Sequence, residues 1–570
     1  MLHEPAAQRW WLLQRPIRVL EARSISDVLP LLRQVQDDVE RHQLFAAGYL
    51  AYEAAAAFDP AFCTHPEPAF PLAWFGLYEK PRAIPNPAPP MAPAAALRWK
   101  LSIARPEYED AIGKIKNYIR AGDTYQVNYT CRLRTPFAGN PMSLFSGMVQ
   151  AQGAHCSAFL NTGRFVVCCA SPELFFRLDG NEITCRPMKG TAPRGLWPAQ
   201  DQQRASELQH SEKNRAENVM IVDMVRNDLG RIAQSGSVRV NDLFALERYP
   251  TLWQLTSTVQ AATTASVPKI FQALFPAASI TGAPKIRTMQ IIAELEKSPR
   301  HIYTGAIGFI APGRQAQFNV AIRTVLVDTL KGQAEYGIGG GIVWDSEPAH
   351  EFEECKTKAR IITNPMPDFA LLETILWSPA EGYTFLDAHL RRLSESAAYF
   401  SRPIFPEEIR HQLNQLAQQL TSAEHRVRLL LHRDGKLSLE PHLLQPLPQS
   451  YKIALAEKPI VSHDPFLYHK TTHRMIYEQA LAGLPGADDV LLWNEDGEVT
   501  ESTIANVVVK KQGRLLTPPI SSGLLPGIYR AHLLAQKKIT EAPIRVADLV
   551  HYSKIYLCNS VRGIWEVFHL

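Results

Sequence analysis

Two lysines, each followed along the chain by acidic residues, carry the chemistry open to this sequence. Lys189 lies in Arg186-Pro187-Met188-Lys189-Gly190-Thr191, after a stretch rich in β-branched and aromatic residues. A lysine wedged between Met188 and Gly190 at a strand end has little room to wander, so it can serve as a placed nucleophile or a placed charge. A surface lysine at a turn shares that local pattern, and the neighbours must decide. Glu173 precedes it in Ser171-Pro172-Glu173. On a helix predicted over 213–233, Glu217 shares a face with Met220, Ile221 and Met224, opposite the strip Asp223, Arg226, Asn227 and Gly230. A carboxylate on an apolar face needs a partner, and a cation or an internal salt bridge would serve equally. In EFEECKTK, helical spacing sets Glu351, Glu354 and Lys358 on one face. Two carboxylates with a lysine one turn on can hold a metal beside a substrate carboxylate; a solvated charged face is the alternative. An oxygen-only set such as Glu217 and Glu354 suits magnesium.

Between these acids lie features that suit an anion. In TGAPKIR, Ser279 or Thr281 can cap a helix whose first turn accepts Pro284, leaving backbone donors free. The run YGIGGGIV, with Gly340 and Gly341, lets a substrate approach the backbone closely. Arg323, in FNVAIRT, is expected inside an apolar strand, where it needs an acid or a substrate carboxylate.

The second lysine, Lys470 in FLYHKTTHRMIYEQA, stands just before a helix signalled by Met475, Ile476, Ala480 and Leu481. Asp489–Trp493 reads as a strand, Glu495-Asp496-Gly497 as a hairpin turn, and Val499–Lys510 as the return strand. Glu501 on that return strand asks for a cation, and a protonated pyridine nitrogen is one candidate. Arg392, on an amphipathic helix, could reach an anion. So could the amides of Gly527 and Ile528, where LLPGIYR opens a helix. A common loop-to-helix junction would look the same.

These residues need a scaffold of more than one core, because 570 residues exceed a single domain. Apolar content of 46% and charged content of 20% are those of an ordinary globular enzyme. The 60 basic and 56 acidic residues are interspersed, which leaves no footprint for nucleic acid or an anionic membrane. The eight cysteines lack paired metal spacing and read as reduced thiols of a cytoplasmic protein. The first fifteen residues show no leader pattern, and no run approaches a membrane span. The Pro/Ala-rich stretch 81–97 reads as an exposed connection within the first domain. A helix is predicted over 107–121, strands over 156–160, 164–169 and 173–178, and a long helix over 211–233. Pro365 and Pro367 mark a break, which gives domains at 1–363 and 368–570.

Taken together, GDTYQVNY, SPELFFR, RPMKGTAPRG, SEKNRAENVMIVDMVRNDLG, SITGAPKIRTM, YTGAIGF, FNVAIRT, GIGGGIVWDS and EFEECKTKA resemble the chorismate-utilising enzymes, specifically the aminodeoxychorismate synthase component I subfamily, across roughly 1–362. Lys189 separates that subfamily from anthranilate synthase, which carries alanine there. The resemblance implies that Lys189 attacks C2 of chorismate and Glu173 handles protons. It implies that Glu217 and Glu354, with Glu351 beside them, hold Mg2+. It also implies that Thr281, Tyr303, Arg323, Gly340, Gly341 and Lys358 meet the substrate. The order HLRRL, HK, VTES, ANVV and LPGIYR resembles fold-type IV pyridoxal phosphate enzymes, nearest to aminodeoxychorismate lyase, over most of 370–570. Lys470 would then bind pyridoxal 5'-phosphate and act as acid and base. Glu501 would partner the pyridine nitrogen, and Arg392, Gly527 and Ile528 the phosphate. Asn559 and Ser560, in YLCNSVRGI, would close the pocket.

The expected architecture is an α+β chorismate-binding domain with a large two-sheet core, then a two-lobed α/β fold-type IV domain. Gln254 stands where many relatives carry a histidine, and the glycine-rich loop of free-standing lyases is cut to HRDGK at 432–436. There is no G-x-C-x-G glutaminase motif, so ammonia must come from a separate glutamine amidotransferase subunit or from ammonium. The resemblance also implies a homodimer. Two other readings fit the same residues: an anthranilate-type synthase fused to an aminotransferase, and a synthase carrying a non-catalytic dimerisation module.

Overall fold

A computed structural model describes residues 1–4, 9–66, 69–85, 97–153, 156–363, 367–420 and 422–569. Most of the Pro/Ala-rich connection (86–96) and residues 364–366 of the predicted boundary lie outside the described residues. The chain forms two compact units, Met1–Pro193 with Ala205–Met366, and Pro367–Leu570 with Arg194–Arg204. A cut after Thr363 therefore misassigns one short segment. Within the second unit, Arg194 makes a two-point ion pair with Asp201, both contacts at 2.7 Å, and covers the Tyr399 ring at 4.2 Å. Trp197 lies 5.2 Å from the Tyr468 ring. Local periodicity reports helix or strand, not which core a segment joins, so the sequence carried no sign of this exchange.

The described residues of the first unit build two ten-stranded antiparallel sheets. Side chains alternate across each strand, so one face of each sheet can meet the other. Ala47, Tyr49 and Trp74 of one sheet share a buried cluster with Val167, Cys169 and Leu326 of the other. Helices cover the outer faces. Ile112 and Ile115 of helix Arg105–Arg120 and Phe352 of helix Pro348–Thr363 pack with Val127, Tyr129 and Ile338. Val28, Leu32 and Val35 of helix Ile25–His42, and Val222 and Leu229 of helix Glu212–Gly230, pack with Phe176 and Phe318. Apolar positions three or four apart give each helix one buried stripe. The strands Cys156–Asn161, Phe165–Ser171 and Leu174–Asp179 fall where alternation predicts them.

The second unit holds a four-stranded antiparallel sheet and an eight-stranded mixed sheet. In the first, strands Leu371–Ser378, His425–Leu431 and Leu437–Leu443 are neighbours. The shortened HRDGK connection is a tight turn, closed by His432 N donating to Lys436 O at 2.9 Å. In the second, Gly563–His569 lies centrally, parallel to Lys452–Leu455 and antiparallel to Lys554–Asn559. The predicted return strand Val499–Lys510 is broken into Val499–Ser502 and Asn506–Lys511. The Asp489 carboxylate accepts from both Thr503 N (3.0 Å) and Thr503 Oγ1 (2.6 Å), and Ser502 N donates to Ala505 O. The chain folds back there, and Glu501 comes opposite Asn506.

Candidate active sites

In the first unit, a cavity of about 330 Å³ opens between elements of both sheets. Lys189, Glu173, Glu217, Tyr303, Arg323, Gly340, Gly341, Glu351, Glu354 and Lys358 all line it. Lys189 is the second residue of the strand Met188–Pro193, near its start rather than its end. Its carbonyl accepts from Asn218 Nδ2 (3.1 Å), and Asn218 is in turn held by Ser257 (2.6 Å). Gly190 has φ +96°, and a Cβ there would press on Asn214 and Leu255 at 3.1 Å, so the turn after the lysine requires glycine.

Burial lowers the Lys189 pKa, against the opposing pull of Glu217, Glu354 and Glu173, so neutral amine is more accessible than on a free lysine. Burial raises Glu173 to about 7, although Ser279 donates to it at 2.6 Å and Lys189 opposes the rise. An amine and a carboxyl thus share one cavity with their proton affinities pushed together.

The predicted face of helix Pro348–Thr363 forms. Lys358 Nζ lies 2.6 Å from Glu354 and 2.9 Å from Gly339 O, and Ser346 Oγ donates to Glu351 at 2.7 Å. Glu354 is held low, chiefly by Lys358, while burial raises Glu351. Glu217 is half-buried and faces the cavity, so its unused oxygens meet open space rather than an apolar core. No group of three His, Cys, Asp or Glu side chains converges as a ready metal cage among the described residues. Magnesium commonly takes one or two carboxylates and completes its shell with water and substrate, so these oxygen donors suit it without a closed cage.

Two expectations change. Thr281 is fully buried, and its hydroxyl donates to the Ala277 and Ala278 carbonyls. It neither caps the helix Lys285–Leu295 nor lines the cavity; Ser279 and Ile280 line it instead. Arg323 sits in the link between strands Gln315–Val320 and Thr324–Asp328 with φ +52°, and donates to the Lys358 carbonyl, not to an acid. Gly340 and Gly341 also make room for side chains of the cavity. A Cβ on Gly341 would collide with Lys189 Nζ and Gln126, and one on Gly340 would sit 3.2 Å from Glu351.

Gln126 was missed. It is fully buried, and neither its Nε2 nor its Oε1 has a hydrogen-bond partner among the described residues. Such an orphan beside Lys189 could be found only from coordinates. Gln254, in the position of the expected histidine, accepts from Thr191 Oγ1 (3.1 Å) and donates to Gly190 O (2.9 Å). It braces the lysine strand.

In the second unit, Lys470 is tied to the opening strand of its sheet by Leu372 N donating to Lys470 O at 2.9 Å. Burial, then Arg392, lowers its pKa to about 8. Lys470, Arg474 and Ile504 separate two cavities, of about 50 Å³ and about 340 Å³. Glu501 lines the smaller one. It accepts from Tyr477 OH (2.8 Å), Leu525 N (3.2 Å) and Asn506 Nδ2 (3.4 Å), and burial raises it to about 7. An amine and a buried acid across a narrow cleft fit the aldehyde and ring nitrogen of pyridoxal phosphate.

The phosphate end differs from expectation. Arg392 lines the larger cavity, but its fork is engaged by Glu373 at 2.6 and 2.9 Å. Burial opposes ionisation of Glu373, yet Arg392 and His389 hold it at about 2. Gly527 caps the helix Ile528–Ala535, but neither Gly527 nor Ile528 lines either cavity. A Cβ on Gly527 would strike Asn506, so the glycine admits the side chain that bonds Glu501. Asn559 and Ser560 line the larger cavity, with Asn559 Oδ1 accepting from Val561 N and Arg562 N.

Residues 2–364 match the family described as chorismate binding enzyme, and this chain belongs to that family. Residues 370–569 match the family described as amino-transferase class IV. Aminodeoxychorismate synthase component 1 of Bacillus subtilis (strain 168) is 40% identical over 271 residues, 47% of this chain and 57% of the relative. Anthranilate synthase component 1 1 of Haloarcula marismortui is 39% identical over 268 residues, 46% of this chain and 54% of the relative. The chain thus spans less than three fifths of the length of these curated relatives. Anthranilate synthase component I from Streptococcus pneumoniae TIGR4 superposes with a TM-score of 0.55 at 24% identity, covering 64% of this chain and 94% of that one. That likeness establishes the fold of the first unit. No described helix is long and apolar enough to cross a membrane.

Proposed function

We propose that this chain makes 4-aminobenzoate in two steps: amination of chorismate to 4-amino-4-deoxychorismate, then elimination of pyruvate. The observation that carries the reading is Lys189 in one cavity with Glu173, since overall identity to synthases of either product is nearly equal. In the first step the neutral Lys189 amine adds at C2 of chorismate as the C4 hydroxyl departs and the double bonds shift between them. Glu173, raised to about 7, gives the proton with which that hydroxyl leaves as water. Ammonia adds at C4, Lys189 leaves C2 as free amine, and Glu173 recovers a proton. Tyr303, Arg323 and Lys358 bind substrate carboxylates, and Glu217 with Glu354 would hold Mg2+ there, Glu351 beside them.

In the second step, pyridoxal 5'-phosphate supplies an electron sink at the carbon that bears the amine. Lys470 would hold that cofactor, and its amine, with a pKa lowered to about 8, takes the C4 proton. Glu501, oriented by Tyr477 and Asn506, would partner the ring nitrogen. The C3–oxygen bond breaks, the enolpyruvyl group departs as pyruvate, and the ring becomes aromatic. Ammonia comes from a separate glutamine amidotransferase subunit or from ammonium, and the chain acts as a cytoplasmic homodimer.

Incubation with chorismate, ammonium, magnesium and pyridoxal phosphate tests this. Equal amounts of 4-aminobenzoate and pyruvate are expected, and Lys189→Ala should abolish 4-aminobenzoate while leaving cofactor binding intact. Formation of the ortho isomer by the wild type, or normal 4-aminobenzoate turnover by Lys189→Ala, would overturn it.

A further inference from the structure

Among the described residues, the larger cavity of the second unit is lined by six basic side chains, Arg392, Arg426, Arg428, Lys470, Arg474 and Arg562, and by no carboxylate. Four of the six have other business. Arg392 is engaged by Glu373, and Arg428 pairs with Glu440 at 3.0 Å. Arg474 lies 4.6 Å over the Tyr477 ring, and Lys470 is the reactive amine. Arg426 and Arg562 remain. Neither has an acidic partner among the described residues; the Arg562 guanidinium donates to the Gln445 carbonyl at 2.6 Å. Arg426 is close enough to depress the Arg562 pKa further, after burial. Two guanidinium groups turned on one cavity without a counter-charge repel each other unless an anion joins them.

Strand register places this pair. Leu372 hydrogen-bonds to Lys470, Thr374 pairs with Arg428, and Leu376 pairs with Arg426. Residues two apart point to the same face, so Arg428 and then Arg426 step away from Lys470, Arg426 by roughly 13 Å of strand. On 4-amino-4-deoxychorismate, the group furthest from the C4 amine is the ring carboxylate para to it. A guanidinium fork matches a carboxylate in shape as well as charge.

We infer that Arg426 and Arg562 form the subsite that receives the ring carboxylate of the second reaction's substrate, and so set its orientation and its selectivity for an acid. This rests on the reading of the second site as one that takes 4-amino-4-deoxychorismate. Both are positioning residues, remote from the carbon that reacts.

The test uses the full chain loaded with pyridoxal phosphate. Wild type is given 4-amino-4-deoxychorismate, and pyruvate release is followed; if none is released, the underlying reading fails, whatever the arginines do. With release established, binding of 4-aminobenzoate and of neutral 4-aminobenzamide is measured by calorimetry. Wild type should bind the acid about tenfold or more tightly than the amide, as expected for charge-assisted pairing. Arg426→Gln with Arg562→Gln should erase that preference and raise KM for the substrate by a similar factor, with kcat changed little. Arg426→Lys should restore part of it. Equal wild-type affinity for acid and amide, or a double variant with unchanged KM, overturns the subsite.

Discussion

Ser279 Oγ donates a 2.6 Å hydrogen bond to Glu173 Oε1 at the wall of the first cavity. That bond favours the ionised carboxylate, but burial favours the acid and prevails, leaving the group at about 7. The hydroxyl thus aims the carboxyl without keeping it charged, which a proton donor at neutral pH requires.

Glu173→Gln should separate stability from activity. The wild-type carboxyl binds its proton more tightly when folded (about 7) than at its ordinary 4.5. Its ionisation therefore subtracts stability as pH rises through that window, by about 3 kcal/mol once complete. The amide keeps an acceptor for Ser279 and carries no charge. The variant should melt at a higher temperature than wild type at pH 8, with the gain shrinking toward pH 4.5, and should lose roughly a hundredfold or more in amination. Melting curves across pH decide; an identical pH dependence for both proteins contradicts the raised pKa.

Gly341→Ala should damage the first reaction alone. The new methyl group would occupy the place of Lys189 Nζ and the Gln126 amide, and the strand pairing Gly341↔Asn128 gives the backbone little freedom to yield. A tenfold or greater fall in kcat for amination is expected, with roughly 1–3 kcal/mol lost from stability. Pyruvate release from supplied 4-amino-4-deoxychorismate should be unchanged.

Glu217→Gln and Glu354→Gln should each raise the magnesium concentration needed for half-maximal amination, since each removes a charged oxygen donor. Glu354→Gln also removes the partner of Lys358, so its chorismate KM should change as well. Titration of the rate with magnesium checks both, and an unaltered requirement in the pair would make the acids structural.

Lys470→Ala should consume chorismate and accumulate 4-amino-4-deoxychorismate without pyruvate, because the first site keeps all its residues. An intact lyase added in trans should restore 4-aminobenzoate. Glu501→Ala should be milder. Normal pyruvate release by Lys470→Ala would remove the second unit from the reaction.

Periodicity made part of this legible. Glu351, Glu354 and Lys358 recur at helical spacing, and that alone set them on one face of Pro348–Thr363. Lys189 stood out because turn and strand signals around it restrict a normally mobile side chain, and Lys470 because it stands just before a helix signal. Thr281 was misjudged because a cap and a buried carbonyl-bonded hydroxyl share the same local sequence. The break at Thr503–Ala505 depends on Asp489, which a neighbouring strand supplies. Gln126, Arg426 and Arg562 acquire meaning only from what lies across a cavity, and no window along the chain contains that.

The strand Gly563–His569 sits in mid-sheet, while Val499–Ser502 and Asn506–Lys511 meet elsewhere through Glu501 and Asn506. The neighbours it joins, Lys452–Leu455 and Lys554–Asn559, are both made earlier. On the ribosome, each must therefore wait with a bare hydrogen-bonding edge until residue 569 has cleared the exit tunnel. Such edges invite pairing with foreign chains. The two edges therefore stay open to such pairing until the strand Gly563–His569 slots between them.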